Sequence, residues 1–207
     1  MTALIALDLA SVLVFAITGA LTAARAQLDP IGFIFIACLT AVGGGTTRDL
    51  LLGRDPVFWV ADPLPVATAG VAAMAVFFTH HLLVSRLTVL IWLDAVALSV
   101  AVAAGVGVAQ GLGHPIWTQI VMGIVTGCMG GLLRDVVCNE LPLVLKQGEL
   151  YVTAALAGGG AAVAARELSG SPLVGLAACV AVTFALRAGS IRFGWRLPSF
   201  RARPPRP

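Results

Sequence analysis

Charge is what this sequence has least of. Asp, Glu, Lys and Arg make up 11% of its 207 residues, while 59% are hydrophobic. The mean hydropathy is +0.98, and ordinary soluble domains carry about 25% charged residues. A water-soluble fold could not hide this much apolar surface. The apolar runs also follow one another so closely that little chain is left for an extramembrane domain, which places the function inside a bilayer. A formal net charge of +3 is too small to argue for nucleic acid as a partner. Cysteine and histidine are sparse as well: Cys38, Cys128, Cys138 and Cys179 show no CxxC spacing and no accompanying histidine cluster, which excludes a disulfide framework or a zinc site. His80 and His81 fall at an expected helix end, where interfacial solvation is the simpler role. G-x-S-x-G, H-E-x-x-H and P-loop signatures are missing, so neither enzyme activity nor a cofactor is expected, and no metal beyond a transiently bound monovalent cation. The N-terminus lacks a basic n-region and carries Asp8 within its apolar stretch, so Leu4 onward is expected to be a retained span rather than a signal peptide.

What the sequence does have is long apolar windows. Windows of about 20 residues predict seven spans: Leu4 to Ala24, Pro30 to Leu52, Leu64 to Leu83, Leu87 to Val108, Ile116 to Val137, Leu150 to Ala165 and Pro172 to Leu186. Two of them are interrupted. The second holds Gly43-Gly44-Gly45 and then Arg48-Asp49; the fifth holds Gly130-Gly131 and then Arg134-Asp135.

These interruptions correspond. A shift of 86 positions aligns the two halves without a gap: Asp8 meets Asp94, Gly19 meets Gly105, Thr40 meets Thr126, Gly44-Gly45 meets Gly130-Gly131, Arg48-Asp49 meets Arg134-Asp135, and Pro56 meets Pro142. Chance similarity between apolar stretches would match Leu, Val and Ala, not Asp, Arg and Pro in one register. Three spans is an odd number, so the second copy enters the membrane from the opposite side, as in inverted repeats. The expected fold is therefore an all-α integral membrane protein: a first three-helix repeat over residues 1–86, a second, inverted one over 87–170, a seventh helix over 171–190 and a basic cytoplasmic tail over 191–207. Arginine bias orients it with the N-terminus outside and the C-terminus in the cytoplasm, counting Arg25, Arg86, Arg134, Lys146 and the arginines from Arg187 to Arg206 as inside, against Arg48, Arg54 and Arg166 outside. The tail interleaves its arginines with Phe193, Trp195, Phe200 and prolines, and is expected to meet anionic lipid.

Each Gly costs a helix roughly 1 kcal/mol relative to Ala, so the glycine runs predict kinked or unwound turns whose freed carbonyls line a cavity. Two carbonyl-rich helix ends facing one another from opposite sides favour a cation. Gly43, Gly44, Gly45, Thr46, Thr40, Gly130, Gly131 and Thr126 are thus the expected ion pathway. Gly-Gly is also a common close-packing face, and that reading stands beside the first. Charges at membrane depth are functional candidates by default. Helix rise places Arg48 beside Asp8 near the outer face and Arg134 beside Asp94 near the inner one. The rival pairing is local, Arg48 with Asp49 and Arg134 with Asp135.

The segments Gly43-Gly44-Gly45-Thr46-Thr47-Arg48-Asp49 and Gly130-Gly131-Leu132-Leu133-Arg134-Asp135, set in seven spans with three-span repeats, resemble a prokaryotic member of the trimeric intracellular cation channel family over about residues 4 to 186. The resemblance implies a homotrimer in the cell inner membrane, with a potassium-permeable pore in every protomer lined by the second and fifth spans, and potassium or sodium as the permeant ion. The Lys-Glu-Val motif of animal members does not occur here, so their lipid and calcium regulation does not carry over. Bacterial relatives in the same broad family look like small amino-acid transporters, glycine among their proposed substrates, and broken helices suit a zwitterion too. A non-transporting scaffold is disfavoured by the paired intramembrane Arg and Asp. The seventh span, outside the duplication, is expected to serve packing or assembly; separately, Gly158, Gly159 and Gly160 of the sixth span are expected to lie on an outer face that suits helix contact between protomers.

Overall fold

The computed structural model describes residues 2–79, 86–146 and 149–198. Its elements are α1 (Thr2–Arg25), α2 (Pro30–Leu51), α3 (Phe58–Ala61), α4 (Leu64–Thr79), α5 (Arg86–Gly111), α6 (Ile116–Val137), α7 (Val152–Ser169) and α8 (Pro172–Phe193), with a 3-10 turn at Leu143–Leu145. Five of the helices, α1, α2, α5, α6 and α8, are long and apolar enough to cross a bilayer. The 16-residue α4 is shorter, and α7 carries Arg166-Glu167 in its last turn. His80, His81 and the tail arginines from Arg201 onward lie outside the described residues.

Helix boundaries follow local chemistry. Asp29 caps α2 by accepting from the Gly32 backbone N–H at 2.7 Å, and Pro30 supplies the preset φ of a first turn. The ends of α7 and α8 turn on left-handed Gly170 and Gly194. The duplication is visible in these stops: left-handed residues follow α2 at Gly53 and α6 at Asn139, and follow α1 at Gln27 and α5 at Gly113, each pair 86 apart.

Packing divides the molecule in the same way. Helices α1, α2 and α4 pack together, as do α5, α6 and α7; α1 against α5 and α2 against α6 join the two groups, and α8 covers α5 and α7. The shared core is built largely of alanine, including Ala16, Ala20, Ala23, Ala97, Ala101 and Ala103. In a bilayer, lipid tails are as apolar as Leu, so helices are held by van der Waals contact, and small residues permit the closest approach. Gly19 and Gly105 show how close: a Cβ on Gly19 would crowd Thr40 Oγ1, the Ile36 carbonyl and the Ala37 Cα, and one on Gly105 would crowd their counterparts in Thr126, Met122 and Gly123. Large apolar side chains such as Ile31, Phe35, Val71 and Phe78 stay exposed, as on a surface solvated by hydrocarbon.

Candidate functional site: two charged nodes flanking a glycine crossing

Helices α2 and α6 run uninterrupted through their glycines. This corrects the expectation of unwound turns. Three glycines forgo about 3 kcal/mol of helix propensity, but each backbone group freed in hydrocarbon costs several kcal/mol, so the intact ladder wins. What the glycines provide is proximity. A Cβ at Gly44 would overlap the Thr126 carbonyl of α6, and a Cβ at Gly130 would overlap the Thr40 carbonyl of α2. The two contacts are reciprocal and antiparallel, since residue 40 meets 130 and residue 44 meets 126. Such a self-complementary pattern is what a two-fold rotation between like elements produces.

The expected pathway residues take several roles here. Thr40 and Thr126 turn their hydroxyls back to the Ile36 and Met122 carbonyls, both at 2.6 Å. Thr46 donates to the Val42 carbonyl at 2.7 Å and accepts from Trp59 Nε1 at 2.8 Å. Gly43 faces Leu133, Gly45 faces the Phe58 ring and Gly131 faces Tyr151. Beside the crossing, Asp8, Ser11, Gly44, Gly45, Phe58 and Thr126 help to line a cavity of about 10 Å³. That is the scale of a single water molecule.

A buried arginine stands at the C-terminal end of each crossing helix. In the first, Arg48 donates from Nη1 to Asp8 Oδ1 at 2.9 Å and from Nε to Asp49 Oδ1 at 2.8 Å. Arg54 adds a second cation on Asp49 at 3.1 Å, and the Phe58 backbone N–H donates to Asp49 Oδ2 at 2.9 Å. In the second, Arg134 donates from Nη1 to Asp94 Oδ1 at 3.2 Å and from Nε to Asp135 Oδ1 at 2.7 Å, while the Leu143 N–H donates to Asp135 Oδ2 at 2.9 Å. Each guanidinium therefore holds both the distant and the adjacent carboxylate. The two pairings weighed from the sequence are not rivals. Adjacent residues on a helix point about 100° apart, but the long Arg stem lets Nε fold back while Nη1 reaches across.

The nodes differ in exposure. Arg48, Arg134 and Asp94 have no exposed side-chain surface, whereas Asp8 is 22% and Arg54 35% exposed. Arg48 Nη2, Asp94 Oδ2 and Arg134 Nη2 are buried without a hydrogen-bond partner among the described residues.

Arg187 is counted above with the cytoplasmic flanking charges, and the structure corrects that reading. It lies in α8 with no exposed surface, donates from Nη1 to Glu149 at 3.1 Å and sits 4.8 Å above the Tyr151 ring. Its sequence signal was weak, because it introduces an arginine-rich stretch that reads as a topology flank. Gly158 and Gly159 are not an outer face either: the first packs on Thr183 and Cys179 of α8, the second on Ile120 of α6, and only Gly160 is open.

The family model described as "Glycine transporter" matches twice, at residues 5–81 and 91–167, in the same 86-residue register. The inner membrane protein YadS of Escherichia coli K12, assigned to UPF0126, is 37% identical over 199 residues, covering 94% of this chain and 94% of that protein. Among solved structures, the trimeric intracellular cation channel orthologue from Rhodobacter sphaeroides is 41% identical with a TM-score of 0.90, covering 94% of this chain and 100% of that one. A prokaryotic channel of the same kind in 0.5 M KCl is 27% identical with a TM-score of 0.87, covering 93% of this chain and 98% of that one. With its doubled glycine crossing, its repeated Arg-Asp nodes and these likenesses along nearly its whole length, the chain belongs to the trimeric intracellular cation channel family in its prokaryotic, UPF0126-related form.

Proposed function

We propose that this chain is a multi-pass inner membrane protein that forms a cation channel permeable to potassium, assembled as a homotrimer with a separate pathway in each protomer between α2 and α6. The observation that carries the reading is the reciprocal glycine crossing beside a water-sized cavity, closed at its two ends by charged nodes. At such a crossing two backbones meet with no side chain between them, so a small separation of α2 from α6 opens a passage lined by carbonyl and hydroxyl oxygens, the ligands that suit a monovalent cation. A cavity of about 10 Å³ also suits a partly dehydrated ion better than an amino acid. The relatives named as cation channels support the same reading.

Seven spans follow when α4 and α7 are added to the five long apolar helices. The three-helix groups then lie inverted across the membrane, as the antiparallel contact of α2 with α6 requires. Buried Arg48, Arg134 and Arg187 are used within the fold and do not count as loop charges. The remaining cations still favour a cytoplasmic C-terminus: Arg25, Arg86, Lys146, Arg192, Arg196 and the tail on one side, Arg54 and Arg166 on the other. The Arg25 to Glu140 pair at 3.1 Å puts the ends of α1 and α6 on one face, as this topology demands. The tail meets anionic lipid on that face.

The test is reconstitution of the purified protein into planar bilayers under a potassium gradient. Unitary currents should appear in pure lipid, with a reversal potential that follows the gradient. The family model's description keeps glycine transport as the competing outcome. Saturable glycine uptake without unitary currents would establish it and overturn the channel.

A further inference from the structure

The inner node is one positive charge short of the outer node. Outside, Asp8 and Asp49 are met by Arg48 and Arg54. The position equivalent to Arg54, 86 residues on, is Glu140. The backbone places the two alike: the Arg54 N–H donates to the Asp49 carbonyl at 2.9 Å, and the Glu140 N–H donates to the Asp135 carbonyl at 2.8 Å. Glu140 turns instead to Arg25, at 3.1 Å. Asp94 and Asp135 are left with Arg134 alone, in the more deeply buried of the two sites, where an uncompensated charge costs most.

A second cation nevertheless lies close by, and it comes from outside the duplication. A Cβ on Gly131 would sit 3.4 Å from the Tyr151 hydroxyl, 3.5 Å from Asp94 Oδ1 and 3.8 Å from Arg134 Nη2, so these three groups converge on one point. The other face of that convergence is Arg187, stacked 4.8 Å from the Tyr151 ring centroid. Arg187 is fully buried, and one of its nitrogens binds Glu149; Nε and Nη2 have no partner among the described residues. A pair with Glu149 would need only the one nitrogen and no burial. The equivalent glycine of the first repeat, Gly45, packs on Phe58, and there the ring stacks on the node's own Arg48, at 5.6 Å.

We propose that Arg187 is the positioning residue of the inner node: it supplies, across the Tyr151 ring, the positive charge that Arg54 supplies in the outer node, and so ties α8 to the opening of the inner end of the pathway. This rests on the channel reading. Without Arg187, Asp94 and Asp135 are left with Arg134 alone, Glu149 loses its partner, and the repulsion between the two buried carboxylates loosens the end of α6 from α5 and α7.

The experiment is a charge transplant in the full-length protein, read by single-channel recording and by thermal unfolding in detergent. R187Q should raise open probability about tenfold, the scale of one charge-assisted hydrogen bond, with unitary conductance unchanged, and should lower the unfolding temperature. Adding E140R on an R25Q background, so that the new arginine does not meet the present partner of Glu140, installs the first repeat's arginine at the matching position and should restore both. R187K, which keeps the charge, should fall between. If Arg187 only anchors Glu149, E149Q will reproduce R187Q and E140R will restore nothing, and the proposal is overturned. Should R187Q fail to fold, recovery of folding in R187Q/E140R/R25Q supports the proposal and continued misfolding overturns it. Should the wild type pass no current, the channel reading fails alone, and the unfolding temperatures still decide the charge relation.

Discussion

The outer and inner nodes are built from the same Asp, Arg and Asp at the same spacing, yet one is partly wet and the other sealed. Asp8 keeps 22% of its side-chain surface and Asp94 none. The difference comes from what each repeat is packed against. The outer node is covered by α3, a four-residue helix from its own connecting loop, and balanced by Arg54 from that loop. The inner node is covered by Tyr151 at the start of α7 and by Arg187 of α8, a helix with no counterpart in the other half. Duplication thus supplied two equal nodes, and the added helix made one of them the deeper. On the proposed channel reading, the exposed node exchanges with the aqueous side and the buried one sets the threshold for opening.

Removing one partner is the strongest way to test that contrast. Asp94→Asn or Arg134→Gln strands a buried charge and should cost about 3 to 5 kcal/mol. Asp8→Asn should cost no more than about 1 to 2 kcal/mol, because water and Asp49 still solvate Arg48. Chemical unfolding in mild detergent measures both, and equal costs would erase the distinction between the nodes. A smaller effect sharpens it: the cross-helix coupling of Arg134 with Asp94, taken from a double-mutant cycle, should exceed that of Arg48 with Asp8 and should be insensitive to added salt, whereas the outer coupling should shrink as ionic strength rises.

The crossing between the nodes should behave symmetrically where the nodes do not. Gly44→Ala and Gly130→Ala each place a methyl on the partner's carbonyl and should destabilise by similar amounts, about 1 to 3 kcal/mol. A large disparity between them would break the reciprocal contact on which the two-fold relation rests. The smallest effect is expected at Gly160, where nothing lies within 4 Å of an added Cβ. Gly160→Ala should be neutral or stabilise by up to about 1 kcal/mol through helix propensity, unless that face meets a neighbouring protomer, in which case trimers seen by native mass spectrometry should dissociate.

The duplication and the charge partners were legible in the sequence because Asp, Arg and Pro in one register have no other ready cause in apolar chain. The glycine runs were legible as a site but not as a geometry. The same residues favour unwinding by propensity and close approach by size, and only the cost of freeing backbone groups in hydrocarbon decides between them. Helix α3 was missed because four residues, Phe58 to Ala61, leave no periodicity to read. Arg187 was missed because burial of an arginine depends on a partner, here Tyr151 and Glu149, that lies distant in sequence and carries no repeat signature. Gly158 and Gly159 were assigned outward because a small-residue face looks the same whether its partner is another protomer or, as here, α8 and α6.

The central claim is that ions cross the membrane where α2 meets α6. Single-channel recording of the wild type beside Gly44→Ala and Gly130→Ala, in bilayers of identical lipid under a potassium gradient, tests it most directly. The account predicts potassium-selective unitary currents in the wild type and a reduction of unitary conductance, alike in size, in both variants. Wild-type conductance in both variants would place the pathway elsewhere and contradict the claim.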